Sequence, residues 1–178
     1  YEDQKIRILN GGHQILANVA ELLSIETVRD AMKNEMIVKL LEKIEKDEII
    51  PHIKPVPGYT PMEYFELISA RFSNPSIQDT IRRVAFDGSS RHSGFLVPSI
   101  KDGIEHNISI IGLSLAEALW ARMCEGTRED GSIIEPNDPH WEKLNICAKK
   151  SKDNPLEWLG QLEIYGCLLY TSDAADES

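Results

Sequence analysis

The chain of 178 residues is long enough to form one packed domain, and 42% of its residues are hydrophobic. Its formal net charge of -10, from 29 acidic and 19 basic residues, disfavours binding to the phosphate backbone of nucleic acids. Because no apolar run approaches the roughly 20 residues that span a bilayer and no basic-then-apolar signal peptide begins the chain, we predict a soluble, cytoplasmic protein with no membrane partner.

Helical patterns dominate the first fifty residues. Apolar residues between Ile6 and Leu23 recur at a helical spacing, and the pair Gly11 and Gly12 interrupts them. Each glycine costs about 1 kcal/mol in a helix relative to alanine. Two in succession therefore indicate either a turn that enters the helix or a close approach by another backbone or a ligand. Apolar residues at steps of four predict one long or two short helices over residues 26–50.

Prolines and capping residues mark the middle of the chain. The proline-rich residues 52–59 predict an extended connector, because proline lacks the backbone N–H that a helix needs. Thr60 and Glu63 form a capping-box sequence with proline at the first helical position, so a helix should begin there. Asn74, again followed by proline, repeats the signal and predicts a helix over residues 75–86.

The second half of the chain continues the helical pattern. The polar residues 87–91 predict a loop in which Asp87 is a capping acceptor, and further helices are predicted from Pro98, over residues 110–124 and from Asn154. No alternating strand pattern rich in Val, Ile and Thr occurs. The predicted fold class is therefore mainly α and multi-helical.

Histidines and cysteines give no metal-binding pattern. The cysteines are widely spaced without a C-x-x-C pair, which predicts free thiols rather than a zinc site or a disulfide framework. His92, His106 and His140 lie in polar stretches without the spacing of metal ligands, so surface or packing roles are predicted for them.

One constellation near the beginning of the sequence suits proton transfer. Lys5, Asn10 and His13 place an amine, an amide and an imidazole within nine residues. At about 100° per residue, Asn10 lies about 140° and His13 about 80° around a helix axis from Lys5, so all three can face one cleft. A lysine can take a proton from a hydroxyl when burial or a nearby cation disfavours its ammonium form. From spacing alone, an exposed lysine, an asparagine cap and an ordinary histidine explain the same residues.

Longer motifs carry a resemblance to a known family. KIRILNGGH at residues 5–13 resembles the K-x-R-x-L-N-x-x-H signature of the mannitol dehydrogenase family. Residues 71–91 resemble that family's R-[FY]-x-N-P-x-[IL] and D-G-S-x-[KR] segments, and residues 117–141 are similar to a region of its polyol-oxidising members. Together these motifs extend over nearly all of residues 5–166.

The resemblance implies a multi-helical C-terminal substrate domain of a long-chain dehydrogenase. Such enzymes use NAD or NADP without a metal. No G-x-G-x-x-G is present, so the N-terminal Rossmann domain that binds the dinucleotide is expected to be missing from this sequence. We expect residues 1–166 to form the substrate domain. Residues 167–178, which contain CLLYTSDAADE, resemble a translated sequencing adapter and are expected to be a non-native tail.

The resemblance also implies roles for individual residues. Lys5 corresponds to the general base, and Asn10 and His13 to the groups that orient and polarise the reacting oxygen. Further correspondences concern substrate binding and proton relay. Arg83 and Arg91 fall at cationic substrate-binding positions, of which the second is commonly lysine in relatives, and Glu2 falls where some members relay the proton to solvent.

The expected function is that of a fragment of an NAD(P)-dependent polyol dehydrogenase. Its parent would interconvert D-mannitol, or a related polyol such as arabinitol or sorbitol, and D-fructose or a related ketose. The isolated fragment should be inactive, because hydride transfer needs the bound nicotinamide. Two alternatives stay open: a hexuronate reductase of the fructuronate or tagaturonate type, which shares the Lys/Asn/His signature, and a non-catalytic helical interaction module.

Overall fold

Helices form nearly all of the regular structure in the computed structural model, which describes residues 1–168. No β-strand occurs among these residues, apart from isolated two-residue bridges, so the mainly α prediction is confirmed. The α-helices are, in chain order, α1 (Glu2–Gln4), α2 (Gly11–Leu22), α3 (Val28–Ala31), α4 (Glu35–Ile44), α5 (Pro61–Phe72), α6 (Ile81–Ala85), α7 (Gly88–Arg91), α8 (Val97–Glu105), α9 (Ile111–Cys124), α10 (Trp141–Lys150), α11 (Leu156–Leu159) and α12 (Leu162–Tyr165). Three segments are π-helical and one is a 3₁₀ turn: Lys5–Asn10, Glu45–Ile49, His92–Leu96 and Ile50–His52.

Two apolar clusters make up the interior, and α2 joins them. The larger cluster lies mainly between α2, α4, α5 and α6, and it includes the fully buried Leu16 and Leu41. The smaller cluster lies between α9, α10, α11 and α12 around the buried Trp120. Because α2 contributes Leu16 to the first and Leu22 to the second, it is the central helix. The residues directly before α2 are therefore anchored on the most tightly held element.

The glycine pair lies inside a continuous helix and not in a turn. Backbone helical geometry persists across Gly11 and Gly12, so the predicted turn is wrong and the predicted close approach is correct. A Cβ on Gly11 would lie 3.3 Å from Leu96 Cδ2, and a Cβ on Gly12 would lie 3.1 Å from Glu45 Oε1. Leu96 and Glu45 belong to the other two π-helical segments. All three π-helical segments therefore meet at the glycine pair.

The helix predicted over residues 75–86 is shorter than expected. It spans only Ile81–Ala85, and Thr80 caps it by accepting a hydrogen bond from the N–H of the third helical residue. Asn74 instead closes a local turn through its side-chain oxygen. The cause is tertiary, because Thr27 and Thr80 form a short antiparallel bridge that keeps the backbone extended before the helix.

Residues 88–91 are helical, so the loop predicted over residues 87–91 is wrong. Gly88–Arg91 forms α7 and continues directly into a π-helical segment. Asp87 has left-handed backbone geometry with φ 60° and its side chain makes no capping bond, which also corrects its predicted role. The carboxylate of Asp138 accepts from both the N–H and the hydroxyl of Ser89 and so stabilises the first turn.

Other sequence signals are confirmed. Thr60 and Glu63 form the complete capping box at the start of α5. The predicted helices from Pro98, over residues 110–124 and from Asn154 correspond to α8, α9 and α11. The cysteines are free thiols. No helix among residues 1–168 is long and apolar enough to cross a bilayer.

The predicted non-native tail lies almost entirely outside the described residues. Only Cys167, which is exposed, and Leu168, which packs against both apolar clusters, are described. The boundary at residue 166 and the non-native origin of residues 167–178 stay predictions.

Candidate functional site

The π-helical segment before α2 changes how its side chains are arranged. Its hydrogen bonds join residues five apart, as the bond from the Gly11 N–H to the Ile6 carbonyl shows. Residues five apart in such a turn lie nearly above one another, so Lys5 and Asn10 share a face instead of lying about 140° apart. His13 follows Asn10 by three residues in an α-helical turn and is its neighbour on that face.

The three residues of this face differ in exposure. Lys5 is exposed, and its ammonium makes no hydrogen bond or ion pair with any residue from 1 to 168. Asn10 and His13 are half-buried. Glu2 is exposed on α1, one turn before Lys5. The face therefore runs from solvent at Glu2 and Lys5 towards the interior at His13.

His13 is held against an aromatic ring and lies close to several charged side chains. Its ring stacks on Phe72 with centroids 4.5 Å apart. Burial lowers the pKa of His13 to about 4; Asp79 opposes this shift, and the arginines Arg83 and Arg91 add to it. The imidazole is consequently neutral near pH 7, with one nitrogen that donates a hydrogen bond and one that accepts.

The lowered pKa of His13 predicts a loss of stability in acid. Protonation below the ordinary value of 6.5 favours the unfolded chain, because the folded state binds that proton only near pH 4. From these two values, His13 should cost about 2 kcal/mol of unfolding free energy between pH 7 and pH 5. We expect the free energy of unfolding in urea to fall less between pH 7 and pH 5 for His13→Gln than for the unchanged chain. His140→Gln, which changes an exposed histidine, should lose as much unfolding free energy as the unchanged chain. An equal loss for His13→Gln would contradict the role of His13 in the acid sensitivity.

A small cavity of about 100 Å³ lies beside His13. Its lining combines apolar and charged side chains: Leu9, His13, Val28, Arg71, Phe72, Ile77, Asp79 and Arg83. Arg83 pairs with Asp79 through two bonds, from Nε to Oδ1 at 2.6 Å and from Nη2 to Oδ2 at 2.5 Å. This pair holds the pKa of Asp79 below its ordinary value. A polar group that enters the cavity therefore meets His13 and an arginine that is already paired.

The structure places some of the predicted site residues in one cavity and others outside it. His13 and Arg83 line the same cavity, whereas Lys5 and Asn10 lie on the adjoining face outside it. Arg91 is half-buried behind the cavity, where its Nη1 donates to the carbonyl of Val84 at 2.7 Å. Asp79 was not singled out from the sequence, although it falls within a matched motif. Its four-residue spacing before Arg83 was the available signal.

The sequence did not predict a buried hydrogen-bond network around His92 and Glu117. His92 is fully buried, stacks on Trp120 with centroids 4.0 Å apart, and donates from Nδ1 to Glu117 at 2.8 Å because its Nε2 accepts from the Asn18 amide. Glu117 also accepts from the hydroxyl of Tyr165 at 2.6 Å. These bonds tie the π-helical segment of His92 to α2 and α9. A surface or packing role was predicted for His92, and packing is what the structure shows; its partners Asn18, Glu117 and Trp120 are distant from it in sequence and gave no signal.

The described residues hold neither a metal cluster nor a dinucleotide fold. Among residues 1–168, no three His, Cys, Asp or Glu side chains lie close enough to hold a metal ion. The absence of strands from these residues leaves no βαβ unit against which a dinucleotide could bind.

Comparison with known proteins identifies the family. The model of the mannitol dehydrogenase C-terminal domain matches residues 1–177. The chain belongs to the mannitol dehydrogenase family. A family member from Cereibacter sphaeroides, mannitol 2-dehydrogenase, is 46% identical over 168 residues, which are 94% of this chain and 35% of that protein. The mannitol 2-dehydrogenase of Aspergillus oryzae is 29% identical over 93% of the chain and 33% of its own length.

Solved structures of mannitol dehydrogenase relatives share the fold. The ternary complex of Pseudomonas fluorescens mannitol 2-dehydrogenase with NAD and D-mannitol superposes with a TM-score of 0.89 at 30% identity, over 93% of this chain and 34% of that one. A substrate-free D-sorbitol dehydrogenase gives a TM-score of 0.78 at 24% identity, which supports the fold alone. The chain thus spans about a third of the length of the relatives that it matches.

Proposed function

We propose that the chain is the substrate-binding part of an NAD(P)-dependent polyol dehydrogenase that interconverts D-mannitol, or a related polyol, and D-fructose, or a related ketose. The observation that carries the proposal is the shared face of Lys5, Asn10 and His13 beside a polar cavity, in a chain 46% identical to a mannitol 2-dehydrogenase. The relative solved with NAD and D-mannitol supports the choice of substrate and coenzyme.

Lys5 is the proposed general base. Its amine takes the proton of the substrate hydroxyl when the alcohol is oxidised and returns it when the ketose is reduced. Because Lys5 is exposed on this chain, the water-excluding surface over the reacting atoms comes from elsewhere in the protein. Glu2, one turn away and also exposed, is placed to pass the proton to solvent.

Asn10 and His13 are proposed to hold the reacting oxygen. Asn10 donates an amide N–H, and the neutral imidazole of His13 donates a ring N–H, as negative charge develops on that oxygen. Both are half-buried, so their hydrogen bonds are stronger than they would be in water. Arg83 lines the adjoining cavity with a largely exposed side chain, and Arg91 acts on the charge of His13 from nearby; both suit the remaining hydroxyl groups of a polyol.

The bound dinucleotide would supply the hydride acceptor. Residues 1–168 do not fit its binding, since they contain no strand, and the steps assigned to this chain are the binding of substrate and the movement of its proton. Independence from metal ions is part of the proposal, and loss of activity on exhaustive treatment with a chelator would contradict it.

A chimeric enzyme tests the function. Residues 1–168 are to replace the matching segment of the Cereibacter sphaeroides mannitol 2-dehydrogenase, whose remaining part supplies the coenzyme domain. We expect the chimeric enzyme to form NADH or NADPH with D-mannitol, and the isolated chain to form none. A chimeric enzyme that folds, binds coenzyme and oxidises no polyol would refute the proposal. Polyol-dependent NADH formation by the isolated chain would refute the need for a second domain.

A further inference from the structure

The cavity beside His13 contains a positive charge that is already neutralised. Asp79 occupies two neighbouring donors of Arg83, Nε and Nη2, in the fork geometry by which arginine binds a carboxylate. Asp79 is also the charge that acts most strongly on His13, ahead of each nearby arginine. A substrate group in this cavity therefore meets an internal carboxylate where a substrate carboxylate would otherwise bind.

We propose that Asp79 determines specificity: by pairing with Arg83, it makes the site accept uncharged polyols and ketoses and reject sugar acids of the same carbon skeleton. This inference rests on the proposed function and names its substrate class. Asp79 acts through Arg83 and is a positioning residue rather than a catalytic one.

The pairing leaves Arg83 suited to hydroxyl groups. Its unused N–H groups can each donate one hydrogen bond to a neutral oxygen, which needs no free positive charge. A carboxylate could use only the remaining N–H groups on the Nη1 side of the guanidinium, whose charge Asp79 already balances, and it would lie close to a like charge. The discrimination therefore combines a weakened attraction with a repulsion.

The other arginines near the cavity do not restore a carboxylate site. Arg91 is half-buried, and its Nη1 is used by the carbonyls of Val84 and Arg83 at 2.7 and 3.3 Å. Arg71 also lines the cavity and is exposed, as Arg83 is, but its effect on His13 is the smallest of the three arginines.

The backbone fixes Asp79 in its place. Its carbonyl accepts from the N–H of Val28 at 3.0 Å, and the bridge between Thr27 and Thr80 holds the adjoining residue. Its side chain is only 16% exposed. Asp79 precedes the cap residue Thr80, and Arg83 in the first turn of α6 donates to its carboxylate from Nε and Nη2. Asp79 is therefore already paired before any substrate binds.

The test compares two keto substrates of the chimeric enzyme, D-fructose and D-fructuronate. For Asp79→Asn we expect the ratio of kcat/KM for fructuronate to that for fructose to rise about tenfold to a hundredfold, because the freed Arg83 gains a charge-assisted partner. The double variant Asp79→Asn with Arg83→Gln should lose this gain. Asp47→Asn, at an exposed ion pair on another helix, should leave the ratio unchanged.

Further outcomes keep the inference separate from the proposed function. Arg83→Gln alone leaves Asp79 unpaired and should lower the ratio, which supplies a test even if Asp79→Asn does not fold. An active Asp79→Asn enzyme with an unchanged ratio, or a gain that persists in the double variant, would overturn the role of Asp79 and leave the polyol dehydrogenase intact. An unmodified chimeric enzyme that binds coenzyme but reduces neither substrate would instead overturn the proposed function, and the inference with it.

Discussion

Replacing Lys5 with alanine is expected to lower polyol oxidation by the chimeric enzyme about 10²- to 10⁴-fold, the usual contribution of a general base. The substitution removes the proposed proton acceptor and leaves in place Asn10 and His13, the proposed partners of the reacting oxygen. Coenzyme binding should persist, because residues 1–168 do not contain the dinucleotide fold. Asn10→Ala and His13→Ala should each cost less, since each removes one hydrogen bond among several.

The pH profile separates this role from a structural one. Only an unprotonated amine accepts a proton, so oxidation by the unmodified enzyme should rise with pH and the rise should vanish in Lys5→Ala. Measuring kcat/KM for D-mannitol against pH, with and without an added primary amine, gives the profile and a chemical rescue. Lys39→Ala removes an exposed lysine from α4 and should change neither. Near-normal activity and an unchanged profile in Lys5→Ala would leave His13 as the residue to test as base.

Replacing Glu117 with leucine should lower the free energy of unfolding of the chain by about 2–6 kcal/mol, because two buried donors each lose their acceptor at a cost of about 1–3 kcal/mol. The change leaves the Nδ1–H of His92 and the hydroxyl of Tyr165 without their acceptor, and both groups are buried. Tyr165 would keep the N–H of Trp158, which donates to it at 2.7 Å. The loss of both acceptor bonds at once makes this the largest stability effect that we expect.

Urea unfolding at pH 7 measures this effect. Glu117→Gln retains one acceptor oxygen and should cost less than Glu117→Leu, which distinguishes lost hydrogen bonds from altered packing. Glu105→Leu changes an exposed glutamate on α8 and should stay within about 0.5 kcal/mol of the unchanged chain. A loss below about 1 kcal/mol for Glu117→Leu would show that the network contributes little to stability.

Local signals in the sequence predicted those parts of the fold that local physics determines. The capping box at Thr60 and the apolar spacing of residues 110–124 both depend on neighbours within a few residues, and both are correct. Residues 87–91 were predicted as a loop because they are polar. They form a helix because Asp138, about fifty residues away, supplies the hydrogen bonds of the first turn.

In the candidate site, too, the sequence predicted the residues of a local motif but not their contacts with distant residues. The family motif indicated Lys5, Asn10 and His13, but their angular positions were wrong because periodicity assumes an α-helix throughout. The glycine pair correctly indicated a close approach, yet nothing in the sequence identified its partners. The four-residue spacing of Asp79 and Arg83 was compatible with an ion pair, but the cavity that both residues line could be found only from the structure.

The meeting of three π-helical segments at the glycine pair also affects how sequences in this family should be aligned. A π-helical turn holds one residue more than the α-helical turn that it replaces. A relative that lacked one residue within Lys5–Asn10 could form an α-helical turn there and keep its lysine on nearly the same face, because four α-helical residues turn the chain about as far as five π-helical ones. Single-residue gaps at Lys5–Asn10, Glu45–Ile49 or His92–Leu96 thus correspond to the replacement of a π-helical turn by an α-helical turn and not to a change in loop length. The residues on the two sides of such a gap keep their faces of the helix.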